Sequence, residues 1–245
     1  AILSLHAVVV PVPPASAPHE VERLLGRIGA DFLLFEEGLI DRVGAAAAPG
    51  GTGGKVLRLA ALDGAAPPAG FAGLNPAFVR FSSGTTGRSK GVLLSHKAIH
   101  ERTDAADRGL QITAADTVLW VLSMSYHFVV SILLFLRRGA TIRLCYDHFP
   151  LALLDAVKRG GGTFIYAAPF HYHAMATSNE FAPVDLRSVR MAVSTSMKLQ
   201  EETARAFADK FDFELAEAYG IIEVGLPIIN RSPRSAPGSV GHMLP

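Results

Sequence analysis

Residues 81–91 read Phe-Ser-Ser-Gly-Thr-Thr-Gly-Arg-Ser-Lys-Gly, and these side-chain types in this order suit the holding of phosphate. Glycines let a backbone approach a ligand closely and take positive φ. Successive N–H groups can then form an anion-binding nest. Ser82, Ser83, Thr85 and Thr86 add hydroxyl donors around Gly84 and Gly87, and Lys90 adds a point charge for phosphate oxygens. The spacing is not that of a Walker A loop, which needs Gly-Lys-Ser/Thr after four intervening residues; here Lys90 follows Ser89 and precedes Gly91. Composition alone leaves a second reading open, a flexible hydroxyl-rich turn.

The string Ser-Gly-Thr-Thr-Gly-x-x-Lys-Gly, running from Ser83 to Gly91, resembles the phosphate-loop signature of the adenylate-forming (AMP-binding) superfamily. That family holds acyl- and aryl-CoA synthetases, nonribosomal peptide adenylation domains and firefly-type luciferases. Ser89 stands where the family commonly has Pro. Downstream, Ala218-Tyr219-Gly220-Ile221-Ile222-Glu223 resembles the family's Tyr-Gly-x-Thr-Glu motif. The resemblance implies that Tyr219 stacks on adenine, that Gly220 and Ile222 lie at the nucleotide, and that Glu223 binds Mg²⁺. That cation takes few carboxylates and bridges phosphate oxygens. Ile222 departs from the usual Thr and cannot donate a hydrogen bond. Loss of one donor aimed at developing charge can cost about 10²–10³ in rate.

Met124-Ser125-Tyr126-His127-Phe128 resembles the aromatic–His segment of the family's acyl pocket, which implies substrate contacts from Tyr126 and His127, with Gly220 beside them. Ser194, Thr195 and Ser196 open a stretch that lies where the family has a Gly/Ala-rich loop flanking adenine and the acyl group, so they too are expected at the nucleotide. The chemistry itself is expected of Lys90, His127 and Glu223, with Glu223 as the metal ligand.

The implied reaction is ATP-dependent activation of a carboxylic acid to an acyl-adenylate, with release of pyrophosphate. Thioester formation on coenzyme A or a carrier-protein pantetheine would follow. ATP and Mg²⁺ would be required, a small carboxylic acid would be the substrate, and an acyl or peptidyl carrier protein is a candidate partner. A non-catalytic or degenerate nucleotide- or acyl-binding protein on the same scaffold is the alternative, favoured by Ile222. Ala7-Val8-Val9-Val10-Pro11 and Gly238-Ser239-Val240-Gly241 also resemble family segments, so the likeness runs through residues 1–245. The chain is therefore expected to be a partial N-terminal adenylation domain, with a low-complexity loop at 44–54 and without the family's Thr-Gly-Asp motif or Lys-bearing C-terminal lid domain. Such a piece alone is expected to adenylate poorly.

These segments need a frame. Strand-like apolar runs alternate with helix-length stretches: strands at 77–81, 92–94, 117–122, 141–145, 163–167, 189–193 and 214–219, helices at 96–108, 128–138, 151–159, 170–176 and 199–210. Ser95 is a suitable N-cap for the first of these helices. Earlier, a helix at 19–28 and strands at 32–35 and 55–60 are expected. The alternation predicts an α/β fold, mainly parallel sheets with helices on both faces, and places ligands at the carboxyl ends of the strands.

Composition excludes several classes. Of 245 residues 49% are hydrophobic and 18% charged, enough to bury a core and contrary to general disorder. A net charge of +1 supplies no field for nucleic acid or an anionic membrane. Residues 118–136 carry no Lys, Arg, Asp or Glu, yet Ser123, Ser125, His127 and Ser131 interrupt them, so strand, loop and helix are expected rather than a membrane span. One cysteine, Cys145, suits a reducing compartment such as the cytoplasm. His171-x-His173 lacks a third ligand at convincing spacing, and Cys145 near His148 shows no activation. No Gly-x-Ser-x-Gly elbow is present.

Overall fold

The structure is a computed structural model that describes residues 2–36, 57–82, 90–145, 151–231 and 239–244. The expected low-complexity loop at 44–54 and most of the phosphate loop, Ser83 to Ser89, lie outside the described residues. The chain divides into two compact units, Ala1–Val79 and Arg80–Pro245.

The first unit holds α1 (Pro18–Ile28), and β1 (Phe32–Glu36) paired antiparallel with β2 (Leu57–Ala61) from Phe32↔Ala61 to Glu36↔Leu57. Helix α1 starts where Pro18 pre-sets φ and where Glu20 Oε2 accepts from the Ala17 N–H at 2.9 Å. It ends at Gly29, whose φ of 57° is left-handed.

The second unit is built on a seven-stranded sheet. β3 (Pro76–Ser82), which carries the boundary between the units, pairs with β4 (Lys90–Ser95) in a separate ribbon. The central sheet has the order β11-β10-β9-β8-β7-β5-β6. Its strands are β5 (Thr117–Trp120), β6 (Thr141–Leu144), β7 (Phe164–Ala167), β8 (Met191–Ser194), β9 (Ala216–Ile221), β10 (Gly225–Asn230) and β11 (His242–Met243). Strands β5 to β9 pair in parallel, and β10 and β11 close the far edge antiparallel. All four residues of β7 are buried, which requires helices on both faces. Among them are α2 (His96–Leu110), α5 (Leu151–Lys158), α6 (Pro169–Thr177) and α7 (Glu201–Phe211). Ser95 caps α2 as expected, its Oγ accepting from the Ala98 N–H at 3.1 Å.

Two differences from the expected elements are informative. The helix expected from Phe128 begins earlier, as α3 (Met124–His127), a π-turn (Phe128–Ile132) and α4 (Leu133–Arg137). Strands β10 and β11 were not expected, because Pro227 interrupts the apolar run that would have marked β10. The pairing of β9 with β10 shifts register between Gly225 and Ile228, so Pro227 sits at an irregularity where no ladder N–H is needed. No helix among the described residues is long and apolar enough to cross a membrane; residues 118–136 form strand, loop and helix.

At the amino ends of the parallel strands one carboxylate ties the sheet together. Asp116, 3% exposed, receives Arg190 Nε on Oδ1 and Nη2 on Oδ2, both at 2.8 Å. Thr163 Oγ1 donates to Oδ1 at 2.6 Å and the Thr113 N–H to Oδ2 at 2.8 Å. Arg190 also donates to the carbonyls of Leu110 and Gln111. Burial pushes the Asp116 carboxyl up, but the hydrogen bonds from Arg190, Thr163 and Thr113 outweigh it and hold the group well below the usual carboxylate range. From the opposite direction, Tyr172 of α6 donates its hydroxyl to the carbonyls of Ile165 and Val193, pinning the helix to β7 and β8.

Asp116→Asn is expected to lower unfolding stability by about 3 kcal/mol, the low end for a broken buried pair because the Arg190 side chain is 35% exposed. The folded pKa is depressed, so this contribution is complete above about pH 4 and shrinks as pH falls below it. Urea titrations of both proteins would show the gap between them narrowing on acidification.

Candidate active site

A cleft of about 570 Å³ opens in the second unit just beyond the carboxyl ends of β5, β7, β8 and β9. This is where an open parallel sheet receives its ligands. Leu122 and Ser123 follow β5, Tyr126 and His127 come from α3, Tyr166 and Ala168 from the end of β7, Thr195 and Ser196 from the end of β8, and Gly220 to Glu223 from β9 and its turn. The sequence separates these segments by up to about a hundred residues, and parallel pairing brings their ends into one row.

A buried aromatic cluster underlies the cleft and reaches its lining through Tyr166. Trp120 and Tyr166 are fully buried and stacked, with ring centroids 5.5 Å apart and planes 7° from parallel. The Tyr166 hydroxyl is hydrogen-bonded to Ser131 and Thr195, and burial pushes its pKa up. His127 stands edge-on to Trp120 at 5.5 Å, immediately before the π-turn, a local widening that often marks functional sites. Burial, aided by the charge of Arg80, brings the His127 pKa down to about 4. The ring is therefore neutral at physiological pH. Its Nε2 lies 3.4 Å from Ser196 Oγ. Ser196 itself takes φ of 73°, in the left-handed region that a non-glycine residue enters only at a cost.

The turn that carries Glu223 is held from behind. Arg102, 9% exposed on α2, donates Nη1 to the Ile222 carbonyl at 2.9 Å. Gly220 allows β9 and β10 to close: a Cβ there would lie 2.6 Å from the Gly225 carbonyl oxygen. Glu223 is exposed and lines the cleft, and both Arg80 and Arg102 feel its charge. Among the described residues no group of three or more His, Cys, Asp or Glu could hold a metal ion. Glu223 is the one carboxylate in the cleft lining among the described residues, so a divalent cation at it would need most of its oxygen ligands from elsewhere.

Of the expected site residues, Tyr126, His127, Thr195, Ser196, Gly220, Ile222 and Glu223 come together in the cleft. Ser194 does not line it; its side chain is fully buried and, among the described residues, Oγ has no hydrogen-bond partner. Tyr219 is 45% exposed and lies outside the described lining, as does Lys90, an exposed residue at the start of β4. Ser82 ends β3, while Ser83, Gly84, Thr85, Thr86 and Gly87 lie outside the described residues. Arg80, Arg102 and Glu217 were missed. The only sequence signal for Arg80 is a cation within an apolar strand just before the glycine-rich loop. Glu217 is buried and accepts from the Leu199 N–H at 2.9 Å, bracing the loop after β8. A second cavity of about 390 Å³ lies beside Cys145, whose thiol burial pushes up and so keeps protonated.

Gly220→Ala is expected to cost roughly 1–3 kcal/mol of stability by forcing β9 from β10, measured as a drop in urea midpoint. Carbon-detected NMR of the His127 ring should show a titration midpoint near pH 4; a midpoint near that of a free imidazole, about 6.5, would mean a solvated ring.

The whole chain, residues 1–245, matches the family described as AMP-binding enzyme. It is 31% identical over 243 residues to 4-coumarate–CoA ligase 5 of Oryza sativa subsp. japonica, covering 92% of this chain and 45% of that protein. A mitochondrial medium-chain acyl-CoA ligase of Mus musculus is 29% identical over 183 residues, covering 70% of this chain and 30% of the relative. Among solved structures, a malonyl-CoA ligase in a ternary product complex with methylmalonyl-CoA and AMP superposes with a TM-score of 0.78 at 25% identity, covering 100% of this chain and 53% of that one. The chain thus spans about half the length of the relatives it matches end to end. With the profile, the relatives and the strand-end cleft in agreement, the chain belongs to the AMP-binding enzyme family.

Proposed function

We propose that the protein containing this chain activates a carboxylic acid with ATP, forming an acyl-adenylate and pyrophosphate, and passes the acyl group to a thiol. The observation that carries this reading is the cleft itself, where neutral His127, Ser196 and the exposed carboxylate of Glu223 share one cavity at the ends of four strands. The acid's apolar portion would lie against Leu122, Val130 and Tyr166, and its carboxylate beside His127. A neutral imidazole can orient a carboxylate by hydrogen bonding without becoming a fixed cation. Glu223 would hold Mg²⁺, which when bound neutralises charge on the nucleotide phosphates. Residues Ser82 to Lys90 would hold the leaving phosphates. In such a transfer the protein contributes mainly position and charge.

The names of the relatives favour coenzyme A as the acceptor, and an aryl or medium-chain acid as the substrate. A carrier-protein pantetheine is the other acceptor of the same chemistry. A single buried cysteine, Cys145, is in keeping with work in the cytoplasm. The chain would supply the nucleotide- and acid-binding cleft of that enzyme. One observation favours a second reading, a binding protein without catalysis: Ile222 is 7% exposed and brings only hydrocarbon to the cleft.

The deciding experiment is pyrophosphate exchange by the full-length protein over a panel of aryl, short-chain and medium-chain acids. The enzyme reading expects exchange with at least one acid. It also expects Lys90→Ala and Glu223→Gln each to reduce exchange about 10²-fold or more. Nucleotide binding without exchange for any acid would support the second reading instead.

A further inference from the structure

Among the described residues, Arg80 and Glu223 are the only charged side chains that line the cleft. Arg80 is half-buried at the exit of β3. Its Nη1 donates to the Tyr126 carbonyl at 2.6 Å, and its guanidinium carbon lies 4.9 Å from the centre of the Tyr126 ring. These two contacts fix the plane of the group and use one of its five N–H donors. Glu223 attracts it, but no ion pair within 4.0 Å joins the two among the described residues. A cation partly withdrawn from water, held rigid and left without a counter-charge, is costly unless an anion completes it. The neighbouring His127 is kept neutral, partly by Arg80 itself, so it does not compete as a second cation. Leu122, Val130 and Tyr166 line the same cavity with apolar surface, which suits the organic part of an acid better than a free inorganic ion.

We propose that Arg80 is an oxyanion-binding residue of the cleft, its fork of N–H donors receiving a carboxylate of the acid substrate. This rests on the proposed acid- and nucleotide-binding role of the cleft. A guanidinium fork matches carboxylate and phosphate geometry equally well, so a phosphate of the nucleotide is the other source of the same chemistry.

The test uses the full-length protein and two measurements. In the wild type, arginine-selective modification by phenylglyoxal is mapped by mass spectrometry with benzoate, octanoate, ATP, pyrophosphate or adenosine present. Arg80 is expected to be protected by at least one of the two acids and not by adenosine. Protection by ATP and pyrophosphate alone keeps Arg80 as an oxyanion site but moves its ligand to the nucleotide. Calorimetry on Arg80→Gln should show the protecting ligand bound about tenfold more weakly or worse, with Arg80→Lys recovering part of the loss. Equal modification of Arg80 under all conditions overturns the inference, and that result stands even where Arg80→Gln does not fold. So does a folded Arg80→Gln that binds ATP and both acids within about twofold of wild type. If the wild type binds neither nucleotide nor acid, the proposed reading of the cleft fails together with this one; if it binds them and Arg80 is indifferent, only the role of Arg80 fails.

Discussion

The Asp116–Arg190 latch sets the conditions for everything at the other end of the sheet. Parallel strands are joined by long crossovers, so their ends are aligned by packing and not by turns. Asp116 precedes β5, Thr163 precedes β7 and Arg190 precedes β8, and all three meet on one carboxylate. With the amino ends in common register, strands of four residues carry their carboxyl ends to the same level. Leu122, Tyr166 and Thr195 thereby face a single cavity. A charge pair of this kind is costly to bury, but its several geometric requirements discriminate between registers that hydrophobic burial alone would tolerate.

Above this anchor the cleft is a layered arrangement. Trp120, Tyr166 and Phe135 form a buried aromatic layer that reaches the cleft through Tyr166. The cleft lining adds groups that are polar but uncharged, His127, Ser196 and Thr195, and two charged side chains, Arg80 and Glu223. The neutral state of His127 follows from the layering: the aromatic layer removes water and Arg80 opposes a second positive charge. Polar groups and one guanidinium thus share a small volume, an arrangement suited to receiving an anion.

Much of this was legible in the residue order. Buried strands such as β5 and β7 are apolar on both faces, and α2 announces its start with Ser95. The glycine-rich loop and the segment from Tyr219 to Glu223 were legible as chemistry, though only the second lies within the described residues. What was not legible depends on long-range contact. Arg102 acquires its role from a carbonyl 120 positions away, and Glu217 from a loop 18 positions upstream. Nothing in their local sequence distinguishes them from surface charges. Strand β10 was hidden for the opposite reason, a local signal that misled: Pro227 argues against a central strand unless a bulge is foreseen. Tyr219, exposed on β9, and Ser194, buried at the end of β8, lie outside the cleft lining, because the pleat sends successive side chains to opposite faces.

Arg102 grips the Ile222 turn by its backbone oxygen, and Gly220 and Gly225 interlock with the strand and helix behind it. A turn secured in this way takes its position from main-chain contacts more than from the side chain at position 222, which is itself buried. A hydroxyl there would leave the main-chain grip intact but would need a hydrogen-bond partner that hydrocarbon does not. The chemistry offered at that point can therefore differ on the same scaffold, whereas a side chain at Gly220 or the loss of Arg102 would disturb the turn itself.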